Sequence, residues 1–212
     1  MLWLFDLDGT LIDSARGIMG SIEHALASEG VEAPSPDRLR AWIGPPLWHS
    51  FADVFGDDPP RIQRAIEHYR ERYSEVGWRE HEVYAGIYET LDQLIASGAH
   101  CAVVTSKPQA QAERILSSQP LGERFVRVYG PHPDDHAHSK ADLIALAMDQ
   151  LHGTPQTTVM VGDRRYDMEG ARANGVPGMG VLWGFGDADE LRAAGASRLV
   201  KSPAELSMPY IS

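Results

Sequence analysis

The sequence predicts an α/β protein: a parallel β-sheet with helices on both faces, interrupted by one all-α insert. Three observations predict it. Short apolar runs alternate with helical stretches over residues 1 to 13 and roughly 85 to 212, the pattern of a doubly covered parallel sheet. Residues 14 to about 84 break that alternation with helical patterns and no convincing strand between them. The length of 212 residues suits one α/β core with a small insert and little more.

Taken in order, Leu2 to Phe5, Cys101 to Thr105, Val126 to Tyr129, Thr158 to Val161 and Met179 to Leu182 read as core strands. Between them Ile87 to Ser97, Gln109 to Ser118, Ala141 to Leu151, Arg165 to Ala173 and Ala188 to Ala194 carry helical periodicity. Several are closed by a glycine, such as Gly98, Gly153, Gly175 and Gly195. In the insert, Ser14 to Ala27, Pro46 to Phe55 and Pro60 to Val76 read as helices, punctuated by glycine and proline. The insert has no repeat and no low-complexity linker, so a compact lid is expected.

Composition excludes several classes. With 43% hydrophobic and 23% charged residues the chain is globular, and no apolar run reaches the roughly 20 residues of a membrane span. The start, Met1-Leu2-Trp3-Leu4-Phe5-Asp6, lacks a basic region and meets an acid at once. Neither signal nor transit peptide is expected, and a cytoplasmic setting follows. Cys101 has no partner and reads as a buried small hydrophobe. A net charge of −11 would repel a polyphosphate, so a nucleic acid polymer is not an expected partner. Only Lys107, Lys140 and Lys201 are lysines among 19 basic residues, so their positions are informative.

Chemistry concentrates at strand ends, where an α/β sheet holds its site. Asp6-Leu7-Asp8-Gly9-Thr10 follows the first strand. Two acids so close in a partly dry mouth call for compensation, typically a divalent cation that prefers oxygen. Gly9 permits a sharp turn, and Thr10 leaves a hydroxyl nearby. The same residues also fit a turn with helix-capping acids. Thr105-Ser106-Lys107-Pro108 ends the next strand, where a hydroxyl and free N–H groups suit a phosphate oxygen; capping of the helix by Ser106 is the alternative. Lys140 heads a helix, against the macrodipole, which hints at a task. Gly162-Asp163-Arg164-Arg165-Tyr166-Asp167 places two acids one helical turn apart, able to complete an oxygen cage, although Asp163 would also serve as a cap.

In this order and spacing the motifs resemble the haloacid dehalogenase superfamily, and the resemblance covers nearly the whole chain. The segments VVTSKP, SKADLIALAM, MVGDRRYDMEGARANG and GVLWGFG look like its phosphoglycolate phosphatase and 5′-nucleotidase-like branch. The resemblance implies a Rossmann-like core over residues 1–13 and 85–212, with a helical cap over 14–84. It implies a Mg²⁺-dependent phosphatase acting on a small phosphate monoester through an aspartyl-phosphate, with Asp6 as nucleophile and Asp8 as general acid and base. Thr105, Ser106, Lys140 and Gly9 would bind the phosphate, and Asp6, Asp8, Asp163 and Asp167 the metal. Dehalogenases of the superfamily lack the second acid, and phosphonate-cleaving members need a cap lysine that residues 14–84 do not contain. A sugar-phosphate mutase and a non-catalytic phosphate-binding module remain as alternatives.

Two departures stand out. Lys140 is followed by Ala141 where the family usually has proline. The loop Gly130 to His138 carries His132, His136 and His138, which could suggest a metal but read as a solvated loop. In the insert, the turn Gly44-Pro45-Pro46 with His49 and Ser50 is the candidate specificity element, and Trp42, Trp48 and Trp78 are expected to pack the cap.

Overall fold

Leu2-Trp3-Leu4-Phe5 is apolar at every position, which suits a strand covered on both faces, and all four residues are buried in β1 (Leu2–Phe5). The computed structural model describes residues 1–131 and 139–207, so the three loop histidines lie outside the described residues. After β1 come β2 (Ile12–Asp13), α1 (Ala15–Ser28), α2 (Pro36–Ala41), α3 (Leu47–Phe55), α4 (Pro59–Glu75) and β3 (Glu82–Val83). There follow α5 (Ile87–Ala96), β4 (His100–Val104), α6 (Gln109–Ser117), β5 (Val128–Tyr129), α7 (Lys140–Gln150), β6 (Thr158–Gly162), α8 (Arg165–Ala173), β7 (Gly178–Val181), α9 (Ala188–Ala193) and β8 (Arg198–Val200). No helix among the described residues is long and apolar enough to cross a membrane.

The chain separates into two compact units, Met1–Ile12 with Val83–Ser212, and Asp13–Glu82. In the first, six strands form a parallel sheet in the order β5-β4-β1-β6-β7-β8. β1 is central, with Leu2 opposite both His100 and Thr158. The chain moves outward from β1 in one direction through β4 and β5, then in the other through β6, β7 and β8. The C-terminal ends of β1, β4 and β6 therefore flank the topological switch point, where α/β sheets bind ligands. Side-chain alternation sends Leu2, Leu4, Ala102, Val104 and Met160 to one face, packed with Leu143, Ile144 and Ala147 of α7. Burial of Cys101 pushes its thiol up to about 12, so it stays protonated.

The second unit is helical. Ile22 and Leu26 of α1, Phe51 of α3 and Ile62 of α4 are fully buried or nearly so. Glu29, just past α1, ties α1 to α4 through Arg61 at 3.3 Å and Arg64 at 3.0 Å.

Several expectations need correction. β8 was not anticipated, because its three residues carry only one fully buried side chain, Val200. α2 was missed because six residues after Ser35 bury only Leu39 and show no period. The stretch read as strandless contains β3, Glu82–Val83, and Val126 stands 57% exposed outside β5. Of the three tryptophans assigned to packing, Trp42 and Trp78 are buried, but Trp48 is 40% exposed.

Candidate active site

Each of the three central strands ends immediately before a motif residue. Phe5 closes β1 and Asp6 follows; Val104 closes β4 and Thr105 follows; Gly162 closes β6 and Asp163 follows. The parallel register brings the three together.

Lys140 joins them from the first position of α7. Its N-cap is Ser139, whose hydroxyl accepts from the Asp142 N–H while the Asp142 carboxylate accepts from the Ser139 N–H. That capping box fixes the helix start, and the lysine is buried. Its ammonium donates to Asp6 Oδ1 at 2.8 Å and to the Val104 carbonyl at 3.0 Å, and pairs with Asp167 Oδ1 at 2.9 Å. Burial alone would lower the Lys140 pKa, but Asp167 and Asp6 outweigh it and hold the amine firmly protonated.

Asp163 is fully buried and does not cap α8, whose N-cap is Arg164. One carboxylate oxygen accepts from the Thr10 hydroxyl at 3.3 Å and the other from the Phe185 N–H at 2.8 Å. Burial, and then the charges of Asp167 and Asp6, raise its pKa well above the usual range. Asp6 is pushed up to about 6, chiefly by burial and against the pull of Lys140. Asp167 turns back to accept the Arg164 N–H at 3.1 Å. Gly162 makes this possible, since a Cβ there would collide with the Asp167 carboxylate.

Ligand oxygens of Asp6, Asp163 and Asp167 lie within 4.8 Å of one another. Three buried carboxylates face one ammonium, and burial first, then mutual repulsion, raises the pKa values of Asp6 and Asp163. A hard divalent cation with oxygen ligands would remove that repulsion, so the residues fit such an ion.

The other candidates divide. The Asp8 carboxylate is outside the three-acid group and pairs instead with Lys107 at 3.1 Å. Gly9 adopts φ +82 and packs against the Asp163 carboxylate, so no other residue fits there. Its N–H, however, is taken by the Ile12 carbonyl at 2.8 Å, so it contributes close approach rather than a free donor. Thr105 is buried and its hydroxyl oxygen accepts the Lys107 N–H at 3.2 Å, which leaves the O–H to donate. Ser106 is exposed and does not cap α6, whose N-cap is Pro108. Gly44, with φ +108, and Pro45 form the turn into α3 of the helical unit; His49 there is exposed and Ser50 buried.

Two further features belong to the site. Lys107 received no role, although the scarcity of lysine pointed at it. The Trp183–Gly186 loop after β7 contributes the Phe185 N–H on Asp163 and the Trp183 indole N–H, which donates to the Thr10 carbonyl at 3.0 Å. The Phe185 donor is a backbone group and carries no side-chain signature in a sequence.

The sequence model of the haloacid dehalogenase-like hydrolases matches residues 3–181. A 5′-nucleotidase from Pseudomonas aeruginosa is 41% identical over 190 residues, covering 90% of this chain and 86% of that protein. The tyrosine-protein kinase PtkA of Mycobacterium tuberculosis is 40% identical over 189 residues; the match takes in 89% of this chain but only 64% of that kinase. A crystal structure of a predicted phosphatase from Clostridium acetobutylicum superposes with a TM-score of 0.89 at 38% identity, covering 97% of this chain and 95% of the other.

Proposed function

Since the chain belongs to the haloacid dehalogenase-like hydrolases, we propose that this phosphomonoester hydrolase is Mg²⁺-dependent and works through a phosphoryl group carried on Asp6. The proximity of Asp6, Asp163 and Asp167 beside the Lys140 ammonium is the observation that carries the reading.

With a pKa of about 6, Asp6 is ionised at neutral pH and nucleophilic. Its free carboxylate oxygen attacks phosphorus, the ester P–O bond breaks, and the departing oxygen takes a proton from Asp8. A water then attacks the phosphoaspartate, gives its proton to Asp8 and releases inorganic phosphate as the Asp6–phosphorus bond breaks. Lys140 and the Thr105 hydroxyl are placed to hold the equatorial oxygens, whose charge dominates the cost of phosphoryl transfer. A bound Mg²⁺, held by Asp6, Asp163 and Asp167, would add positive charge against the same oxygens. The carboxylate of Asp8 is left for proton transfer rather than for the metal.

For the substrate we propose a small phosphate monoester of the nucleotide or phosphoglycolate kind, in a cytoplasmic setting. Similarity to a 5′-nucleotidase supports the first class. The Gly44-Pro45-Pro46 turn and His49 of the helical unit, read as a cap, are proposed to select among substrates. Similarity to a tyrosine-protein kinase favours a second reading, transfer of the phosphoryl group to a tyrosyl hydroxyl instead of water.

The test is phosphate release from p-nitrophenyl phosphate, nucleoside monophosphates, phosphoglycolate and sugar phosphates, with Mg²⁺ and with a chelator. Asp6→Asn is expected to abolish release and retain the fold. Turnover that survives either the substitution or the chelator rejects the corresponding part of the proposal. Phosphorylation of a tyrosyl peptide without phosphate release would establish the second reading.

A further inference from the structure

Two of the chain's three lysines pair with the two acids of the first motif: Lys140 with Asp6 at 2.8 Å and Lys107 with Asp8 at 3.1 Å. The first pair belongs to the machinery described above; the second has no role in it. We propose that Lys107 is a positioning residue that holds Asp8 by Oδ2 and so orients Oδ1, the oxygen that carries the proton given to the leaving group. The inference rests on the reading of Asp8 as general acid.

The geometry singles out one oxygen. Asp8 Oδ2 is held by the Lys107 ammonium, and the two side chains are only 17% and 7% exposed. Asp8 Oδ1 is buried and has no hydrogen-bond partner among the described residues. A buried carboxylate oxygen left without a partner is costly in a resting protein, and a catalytic role is one physical account of such an atom. The ammonium itself is rigidly based. Its residue lies between the buried Thr105, whose hydroxyl accepts the Lys107 N–H, and Pro108, where α6 begins. Gln109, next along, donates its N–H to the Pro131 carbonyl at 3.1 Å.

The pairing also explains why Asp8 stands outside the acid group formed by Asp6, Asp163 and Asp167. An unpaired Asp8 carboxylate, two residues from Asp6, would be free to swing toward any cation bound there and be lost to proton transfer. Lys107 holds it on the opposite partner.

Leaving-group dependence tests the proposal. An alkoxide needs a proton as it departs, whereas p-nitrophenolate leaves without one, and kcat/KM reports the step in which the leaving group departs. Lys107→Met keeps the aliphatic stem and removes the charge. It is expected to lower kcat/KM for glycerol 2-phosphate at least about tenfold more than for p-nitrophenyl phosphate, with Lys107→Arg restoring part of the difference. Asp8→Asn should show the same preference. Lys107→Met added to Asp8→Asn should cost nothing further, because the two act as one unit. Equal losses on both substrates in Lys107→Met, with the preference intact in Asp8→Asn, would mean that Lys107 binds substrate or only supports the fold, and would overturn the proposal alone. Equal losses in Asp8→Asn would overturn the general-acid reading and the proposal with it.

Discussion

A single ammonium stands against three carboxylates at the heart of this protein, and that imbalance makes Lys140 its most consequential residue. Its bonds to Asp6, Asp167 and the Val104 carbonyl are all buried. Removing one partner of a buried ion pair leaves an uncompensated charge, at a cost of about 3–5 kcal/mol. Lys140→Met is therefore expected to destabilise the metal-free protein by that order in urea unfolding at pH 8. The loss should shrink at pH 5, because Asp6, with a pKa of about 6, is then largely neutral and asks less of the ammonium. An equal loss at both pH values would show that the charge of Asp6 is not what the ammonium stabilises.

Elements place these residues, and some elements are easier to foresee than others. β1, β4 and β6 were legible because continuous apolar runs end directly in polar motifs, and the acids and Thr105 were legible from those endings, Lys140 from its rarity and its place at a helix start. β8 and α2 were not, since a short element on a sheet edge or helical surface buries too few side chains to impose a period. The Asp8–Lys107 pair was hidden for another reason: it joins residues 99 positions apart by sequence number, and only the pairing of β1 with β4 makes them neighbours. The Trp183–Gly186 loop was recognised as a segment but not as a support. Its closeness is testable. A Cβ at Gly184 would meet the Asp163 side chain and the Gly9 carbonyl, neither of which can yield cheaply. Gly184→Ala is expected to cost about 1–3 kcal/mol through overpacking and, by displacing Asp163, to weaken Mg²⁺ binding in calorimetric titration by about tenfold or more. Gly98→Ala is the control: φ is +84, but nothing lies within 4 Å of the added methyl. It should cost stability through backbone strain and leave Mg²⁺ affinity unchanged. Matching affinities in the two variants would remove the loop from the site.

For the molecule as a whole, the buried acids couple folding to pH and to metal. Asp6 has a pKa of about 6 when folded against 3.8 as its ordinary value, so the folded state holds that proton more tightly than the unfolded state does. The metal-free protein should then lose stability as pH rises from about 4 to about 6, and the penalty persists above that; Asp163, shifted in the same direction, adds to it. A divalent cation binds the ionised carboxylates and competes with these protons, so it should restore stability most where the penalty is fully developed. At a Mg²⁺ concentration one hundredfold above its dissociation constant, binding to the folded state alone contributes about 2.7 kcal/mol. For a chain of this size that corresponds to a rise in Tm of roughly 5–10 °C. Thermal unfolding at pH 7 with and without saturating Mg²⁺ should show that rise, and the same pair of measurements at pH 5 with the same Mg²⁺ concentration should show a smaller one. A Tm that ignores Mg²⁺ at both pH values, or an equal rise at both, would separate the acid cluster from metal binding and return it to the role of a purely structural network around Lys140.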